Sequence, residues 1–322
     1  GLCGVKILGR VRGRPDLHGA TPVFTKALGA AAAYKAEILI HGGDIIGKYI
    51  TPFFHTDGTI ETEIMGAKRM LKGHAEGKGA EAEVSRIGSY AYHTTRDQWN
   101  ELLAKPEAMT SVFFKLANER LGSWVRLGEE KLKPLRIKIY LNIGNDDFQD
   151  LGKTIESSSY VVYPNNKVLQ LDDEHELLSL GNTNITPWNC EGDLEEPELQ
   201  RLLDALASKV QHPERALFNL RCPPVDTKLD VAPLLDAQLR PVYLPGGEPR
   251  MVHVGCQAVR ALLQRMQPMA GLHGHIHESR GYEKIGRTMC FNPGSEYITG
   301  TLSALLVNID EKGVKGHRFI MG

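Results

Sequence analysis

The stretch Ile38-Leu39-Ile40-His41-Gly42-Gly43-Asp44 decides the fold. Ile38-Leu39-Ile40 carries no polar alternate, which predicts a short strand buried on both faces, as in a parallel sheet covered by helices. The run then stops at His41-Gly42-Gly43-Asp44. A carboxylate is thereby delivered to the carboxyl end of a strand, where open α/β sheets bind their ligands. Upstream, Thr21-Pro22 predicts a helix start, with Thr as N-cap and Pro in the first helical position. The Ala-rich segment from Ala27 to Ala36 carries that helix. Val5 to Leu8 begins an earlier strand, so the first 44 residues read as a β-loop-α-β unit.

The same rhythm returns further along the chain. Arg136-Ile137-Lys138-Ile139-Tyr140-Leu141 reads as a strand leading into Gly144-Asn145-Asp146-Asp147. Val161 to Leu171 reads as a hairpin turned at Pro164-Asn165-Asn166-Lys167. A helix is expected from about Pro197 to Val210, with Glu198 in its first turn where the dipole favours it. Ala216 to Leu220 reads as a strand ending at Arg221-Cys222-Pro223-Pro224. A helix near Gln257 to Met266 precedes a strand that feeds Gly274-His275-Ile276-His277. Last come strands at about Thr288–Phe291, Ser303–Ile309 and Gly316–Ile320, with a hairpin at Asp310-Glu311-Lys312-Gly313. This order fits an α/β fold of four layers, an αββα sandwich of two mixed sheets flanked by helices.

Residues 48–134 break the rhythm. His55-Thr56-Asp57-Gly58-Thr59 carries a hairpin turn signal. Residues 81–131 read as helical with a break at Pro106. The segment is expected to be a largely helical cap inserted within a single domain spanning 1–322.

Composition narrows the function classes. At 322 residues, 42% hydrophobic and 24% charged, the chain is of ordinary globular type. The formal net charge of −1 gives no global basic field to gather nucleic acid. No stretch reaches the roughly 20 apolar residues that span a bilayer. The five cysteines, Cys3, Cys190, Cys222, Cys256 and Cys290, are scattered and never spaced as CxxC. That argues against a disulfide framework and a thiolate zinc site, and for a reducing cytoplasm.

Four fragments carry the chemistry: Asp16-Leu17-His18-Gly19, Gly42-Gly43-Asp44, Gly144-Asn145-Asp146-Asp147 and Gly274-His275-Ile276-His277. Each pairs oxygen or imidazole donors with glycine. Together these donors suit a divalent ion better than thiolate chemistry does. Any one of them arises often by chance; the joint order does not. In that order they resemble the calcineurin-like metallophosphoesterase superfamily, whose pattern is DxH, GD, GN(H/D), H and GHxH. The resemblance covers roughly residues 1–47 and 135–300, and its GHxH end is the most specific part. It implies the two-sheet fold and a metal set of Asp16, His18, Asp44, Asn145, His275 and His277, with Asp44 bridging two ions. Two ions about 3.5–4 Å apart stabilise an in-line displacement at phosphorus by a water they acidify. One or two divalent ions per chain are expected, drawn from Mn, Fe, Zn, Ni or Mg, with Mn favoured.

The chain departs from that pattern in three places. Gly9-Arg10-Val11-Arg12-Gly13-Arg14-Pro15 stands before Asp16, and alternating Arg is awkward in a buried strand; either the loop is long or the arginines form a surface strip. Asp146 stands where many relatives carry a His that protonates the leaving group. A carboxyl serves as that acid only with a raised pKa, which nearby ions oppose. Asp146 is then catalytic or structural, with Asp147 as its orienting neighbour. Arg221 stands where the family places a ligating His before Pro-Pro, and arginine, which stays protonated, cannot ligate a metal. Asp146, Asp147 and Arg221 are the catalytic candidates, and Arg221 and Asn145 are the candidates to bind a substrate phosphate. The expected function is metal-dependent hydrolysis of a small-molecule phosphate ester, more readily a diester than a monoester. A carboxylesterase or lactonase on the same site and a non-catalytic scaffold are the alternatives. A homo-oligomer is left open.

Overall fold

Alternation along the buried strands builds the layers. The computed structural model describes residues 5–12, 18–294 and 300–322, the first of these as backbone only. Asp16 and the arginines at 10, 12 and 14 therefore lie outside the described side chains. In the strand Ile38–His41, Ile38 and Ile40 join a core shared with the second sheet. Leu39 points to the opposite face, into a core made with helices. In Ala216–Leu220 the same division holds: Leu217 faces the first sheet, while Ala216, Phe218 and Leu220 face helices. A strand covered on both faces has no polar side, because successive side chains point opposite ways.

The first sheet has the order Gly313–Met321, Ser303–Asp310, Val5–Arg12, Ile38–His41, Lys138–Leu141, Val161–Val162. The second runs Gly281–Ile285, Thr288–Asn292, Ala270–Leu272, Ala216–Leu220, Glu176–Leu180, Lys167–Gln170. Both are mixed: the first is antiparallel at its Gly313–Met321 edge and parallel from Val5–Arg12 to Val161–Val162, and the second has a parallel centre with antiparallel edges. Helices Thr21–Ala33 and Pro106–Leu132 cover the outer face of the first sheet. Helices Glu196–Ala207 and Gln257–Met266 cover the second. The expected αββα sandwich is the observed architecture. Among the described residues no helix is long and apolar enough to cross a membrane.

Three local expectations change. Val161 to Leu171 is not a hairpin: Val161–Val162 pairs in parallel with Lys138–Leu141, and Lys167–Gln170 pairs with Glu176–Leu180 in the other sheet. The turn between them carries the chain from one sheet to the next. Thr21 is the first helical residue and Ala20 the cap. The Thr21 hydroxyl accepts instead from Trp124 Nε1 at 3.1 Å. Residues 81–131 contain a strand, Tyr90–Thr94, between helices Gly73–Arg86 and Arg96–Leu103.

That strand closes a four-stranded sheet ordered Ala67–Lys72, Thr59–Ile64, Ile50–Thr56, Tyr90–Thr94. The expected turn at Asp57-Gly58 joins Ile50–Thr56 to Thr59–Ile64. This sheet and the helix Gly73–Arg86 share a small core of Phe53, Ile64, Leu71, Ala80 and Val84. The long helix that follows behaves differently. It opens at Pro106 and contributes Ala117, Leu121, Trp124, Val125 and Leu132 to the main core.

Candidate metal centre

Strand ends from both sheets converge on one place. Ile38–His41 delivers Asp44, Lys138–Leu141 delivers Asn145 to Asp147, and Ala216–Leu220 delivers Arg221. The backbone joins them: His18 donates to the Asp44 carbonyl at 3.2 Å, and Gly274 to the Arg221 carbonyl at 3.1 Å. His18, Asp44 and His275 hold left-handed backbones, with φ of 36°, 49° and 66°. Such conformations cost of order 1–3 kcal/mol each off glycine, and they gather at functional sites. Gly144 is required by closeness, since a Cβ there would overlap the Asp44 carboxylate.

Asp147 locks the first-sheet half. Its carboxylate accepts from the amides of Ile45 at 2.9 Å, Ile46 at 2.9 Å and Gly144 at 2.7 Å. Burial pushes the Asp147 carboxyl up, while the three amides and Arg221 pull it down. Its work is to bind one motif loop to the other. Asp193 plays a similar part for Asn145: it accepts from Asn145 Nδ2 at 2.8 Å and from Thr186 and Cys190 amides. The amide oxygen of Asn145 is thereby turned toward Arg221, with Arg221 Nε donating at 3.4 Å.

His18, Asp44 and Asp146 form the tight group. One ligand atom from each lies within 4.8 Å of the others. His18 Nδ1 is 3.9 Å from Asp146 Oδ2, and Asp146 N donates to Asp44 Oδ1 at 3.3 Å. One imidazole and two carboxylates fit a single divalent ion of the Mn, Fe or Zn kind. His277 stands beside this group, its ring 6.3 Å from that of His18. His275 and His277 are half-buried and outside the three-residue cluster.

Two cations face the two carboxylates. The Arg221 guanidinium pairs with Asp44 Oδ2, and Arg221 is completely buried. The Lys48 ammonium pairs with Asp146 Oδ2, and its side chain is 37% exposed. Cys190 donates to Asp146 Oδ1 at 3.5 Å, and burial pushes its thiol up. Lys48, Cys190 and Asp193 carried no signal in the sequence. Lys48 follows Asp44 by four residues, but nothing local says that its partner is Asp146.

The 48–134 segment touches the same loops. Gly88, with φ of 80°, packs so closely on the His18 carbonyl that a Cβ would overlap it. Arg120 donates to the Gly19 carbonyl at 2.8 Å, and Gly47 N donates to Tyr90 Oη at 2.9 Å.

No protein-family model matches the chain. A relative from Methanocaldococcus jannaschii, the uncharacterized protein MJ1162, is 25% identical over 162 residues, which is 49% of this chain. The match spans 66% of that relative's length, just under two thirds. One solved crystal structure aligns over 99% of both chains with a TM-score of 0.55 and 13% identity, which shows a shared fold. TT1561 of Thermus thermophilus aligns over 96% of this chain and 100% of its own, with a TM-score of 0.48 and 12% identity. The Thermus thermophilus sulfate thiohydrolase SoxB aligns over 95% of this chain and 42% of its own, at a TM-score of 0.41 and 8% identity. In the order of its motifs and in its two-sheet sandwich, the chain resembles the calcineurin-like metallophosphoesterase superfamily.

Proposed function

We propose that this chain is a metal-dependent hydrolase of phosphate esters that takes diesters in preference to monoesters. The observation that carries the proposal is the group of His18, Asp44 and Asp146, gathered within 4.8 Å from three separate loops. A divalent ion held there by His18, Asp44 and Asp146 would supply Lewis acidity to a water and to the phosphoryl oxygens; Mn2+ is the ion we favour. The chain's own residues do the rest. Asp147 keeps the two first-sheet loops in register, and Asp193 keeps the Asn145 amide oriented. Arg221 holds a fixed positive charge at the floor of the site.

Asp146 occupies the position from which a leaving group would be protonated, yet its carboxylate faces Lys48. A carboxylate that pairs with an ammonium, or that would hold the ion once Lys48 has left, is a poor proton donor, so esters with good leaving groups are favoured. The 48–134 segment sets substrate choice in this reading. Its support is the contact of Gly88 and Arg120 with the loop that bears His18. The four described cysteines are free, in keeping with a reducing compartment such as the cytoplasm.

A non-catalytic scaffold is favoured by one observation: Arg221 and Lys48 already neutralise both carboxylates. A panel of chromogenic phosphodiester, phosphomonoester and carboxylester substrates, each with and without Mn2+, separates the readings. Mn2+-dependent turnover of the diester with the highest kcat/KM is expected. Turnover of carboxylesters alone would replace the phosphoester reading with esterase or lactonase chemistry. Inactivity on all three with Mn2+ bound would support the scaffold.

A further inference from the structure

We propose that Arg221 takes the place of a second metal ion, so that the centre is mononuclear, with one divalent ion per chain. The proposal rests on the metal-dependent reading above and deepens it. A pair of adjacent ions would need a carboxylate that reaches both, the part that the motif resemblance gives to Asp44. Its Oδ1 accepts from Asp146 N at 3.3 Å. Its Oδ2 pairs with the Arg221 guanidinium. Asn145, the next donor for a second ion, gives its amide oxygen to the same guanidinium at 3.4 Å. The amide cannot simply rotate, because Asp193 holds its nitrogen at 2.8 Å. One guanidinium thus sits on two oxygens that a second ion would need.

Burial makes this arrangement hard to undo. Arg221 is 0% exposed and the Asp44 side chain 5% exposed. Moving the guanidinium aside would leave a permanent cation buried without its carboxylate. A divalent ion arriving beside it would meet that cation at short range in a poorly screened place. The cation on the other carboxylate is different. Lys48 is 37% exposed on a flexible stem and can swing into solvent when an ion binds between His18, Asp44 and Asp146.

The test is metal content and spin coupling, neither of which depends on turnover. Chelated full-length protein is dialysed against Mn2+, and bound metal per chain is measured with the EPR spectrum. Wild type should bind one Mn2+ tightly and give the spectrum of an isolated ion. Arg221→His should bind two and give an exchange-coupled spectrum. Arg221→Lys, which keeps the charge, should stay at one. Two tightly bound, coupled ions in wild type would overturn the proposal, as would a folded Arg221→His protein that still binds one. If Arg221→His does not fold, the wild-type stoichiometry and spectrum decide alone. One isolated ion in wild type with no hydrolysis on the panel would sink the hydrolase reading and leave this inference standing. Chelator-sensitive hydrolysis with two coupled ions would do the reverse.

Discussion

Two corners of the site solve the same electrostatic problem in opposite ways. At the floor, Asp44 meets Arg221, both closed off between the sheets. At the rim, Asp146 meets Lys48, with side chains 21% and 37% exposed. A buried pair is held by the cost of separating it, since either charge alone would be stranded away from water. A rim pair is nearly free to part, because water replaces each partner. The floor is therefore a permanent part of the protein, and in the proposed metal-dependent reading the rim is where an ion would replace an ammonium.

Breaking the floor should have the largest effect. Arg221→Met leaves the buried Asp44 carboxylate without its cation, and chelated protein should lose about 3–5 kcal/mol of stability. Added Mn2+ should restore more stability to this variant than it adds to wild type, read as the shift in denaturant midpoint. Asp147→Ala attacks the frame beneath the floor. It strands the amides of Ile45, Ile46 and Gly144. Each buried unsatisfied group costs about 1–3 kcal/mol, and partial relaxation should leave a loss of roughly 3 kcal/mol. An unchanged midpoint in either variant would mean that these contacts do not hold the loops.

The rim variant should act on affinity more than on stability. Lys48→Met removes a unit positive charge beside Asp146, and Mn2+ should bind roughly tenfold tighter by calorimetry. Equal affinity would remove Lys48 from the account of ion exchange.

A third pair repeats the buried-acid and exposed-base pattern and supplies the smallest effect. His253 donates to fully buried Asp230 at 2.8 Å, and this hydrogen bond raises its pKa above the usual 6.5. The folded pKa exceeds the unfolded one. The pair's stabilisation is therefore complete below the unfolded value and fades as pH rises through the folded value. His253→Gln should flatten that part of the stability profile by a small amount, because His253 is half exposed to solvent. A profile identical to wild type would show that the pair contributes nothing.

What the sequence disclosed and what it hid follow one physical line. Strands buried on both faces show as apolar runs, so Ile38–His41 and Ala216–Leu220 were legible, and so were the glycine-rich loops at their ends. The helix expected near Gln257 to Met266 is found at Gln257–Met266. Partners distant in the chain were not legible. Pro164 to Lys167 carries a sound turn signal, but a turn does not say whether its strands pair with each other or with two different sheets. The strand Tyr90–Thr94 finds its partner in Ile50–Thr56, across a three-stranded meander and a helix. At the site, His18, Asp44 and the departure at Arg221 were readable from residue type. That Arg221 grips Asp44 and Asn145 together, and that Lys48 guards Asp146, depended on loops meeting from both sheets.

The central claim is that the His18, Asp44 and Asp146 group holds an ion on which hydrolysis depends. Mn2+ should be titrated into chelated wild-type protein and chelated Asp44→Ala while turnover of a chromogenic phosphodiester is followed. The account predicts no turnover without metal, recovery in wild type with Mn2+, and less than about a hundredth of that recovery in Asp44→Ala. Full turnover in rigorously metal-free wild type, or full recovery in Asp44→Ala, would contradict it.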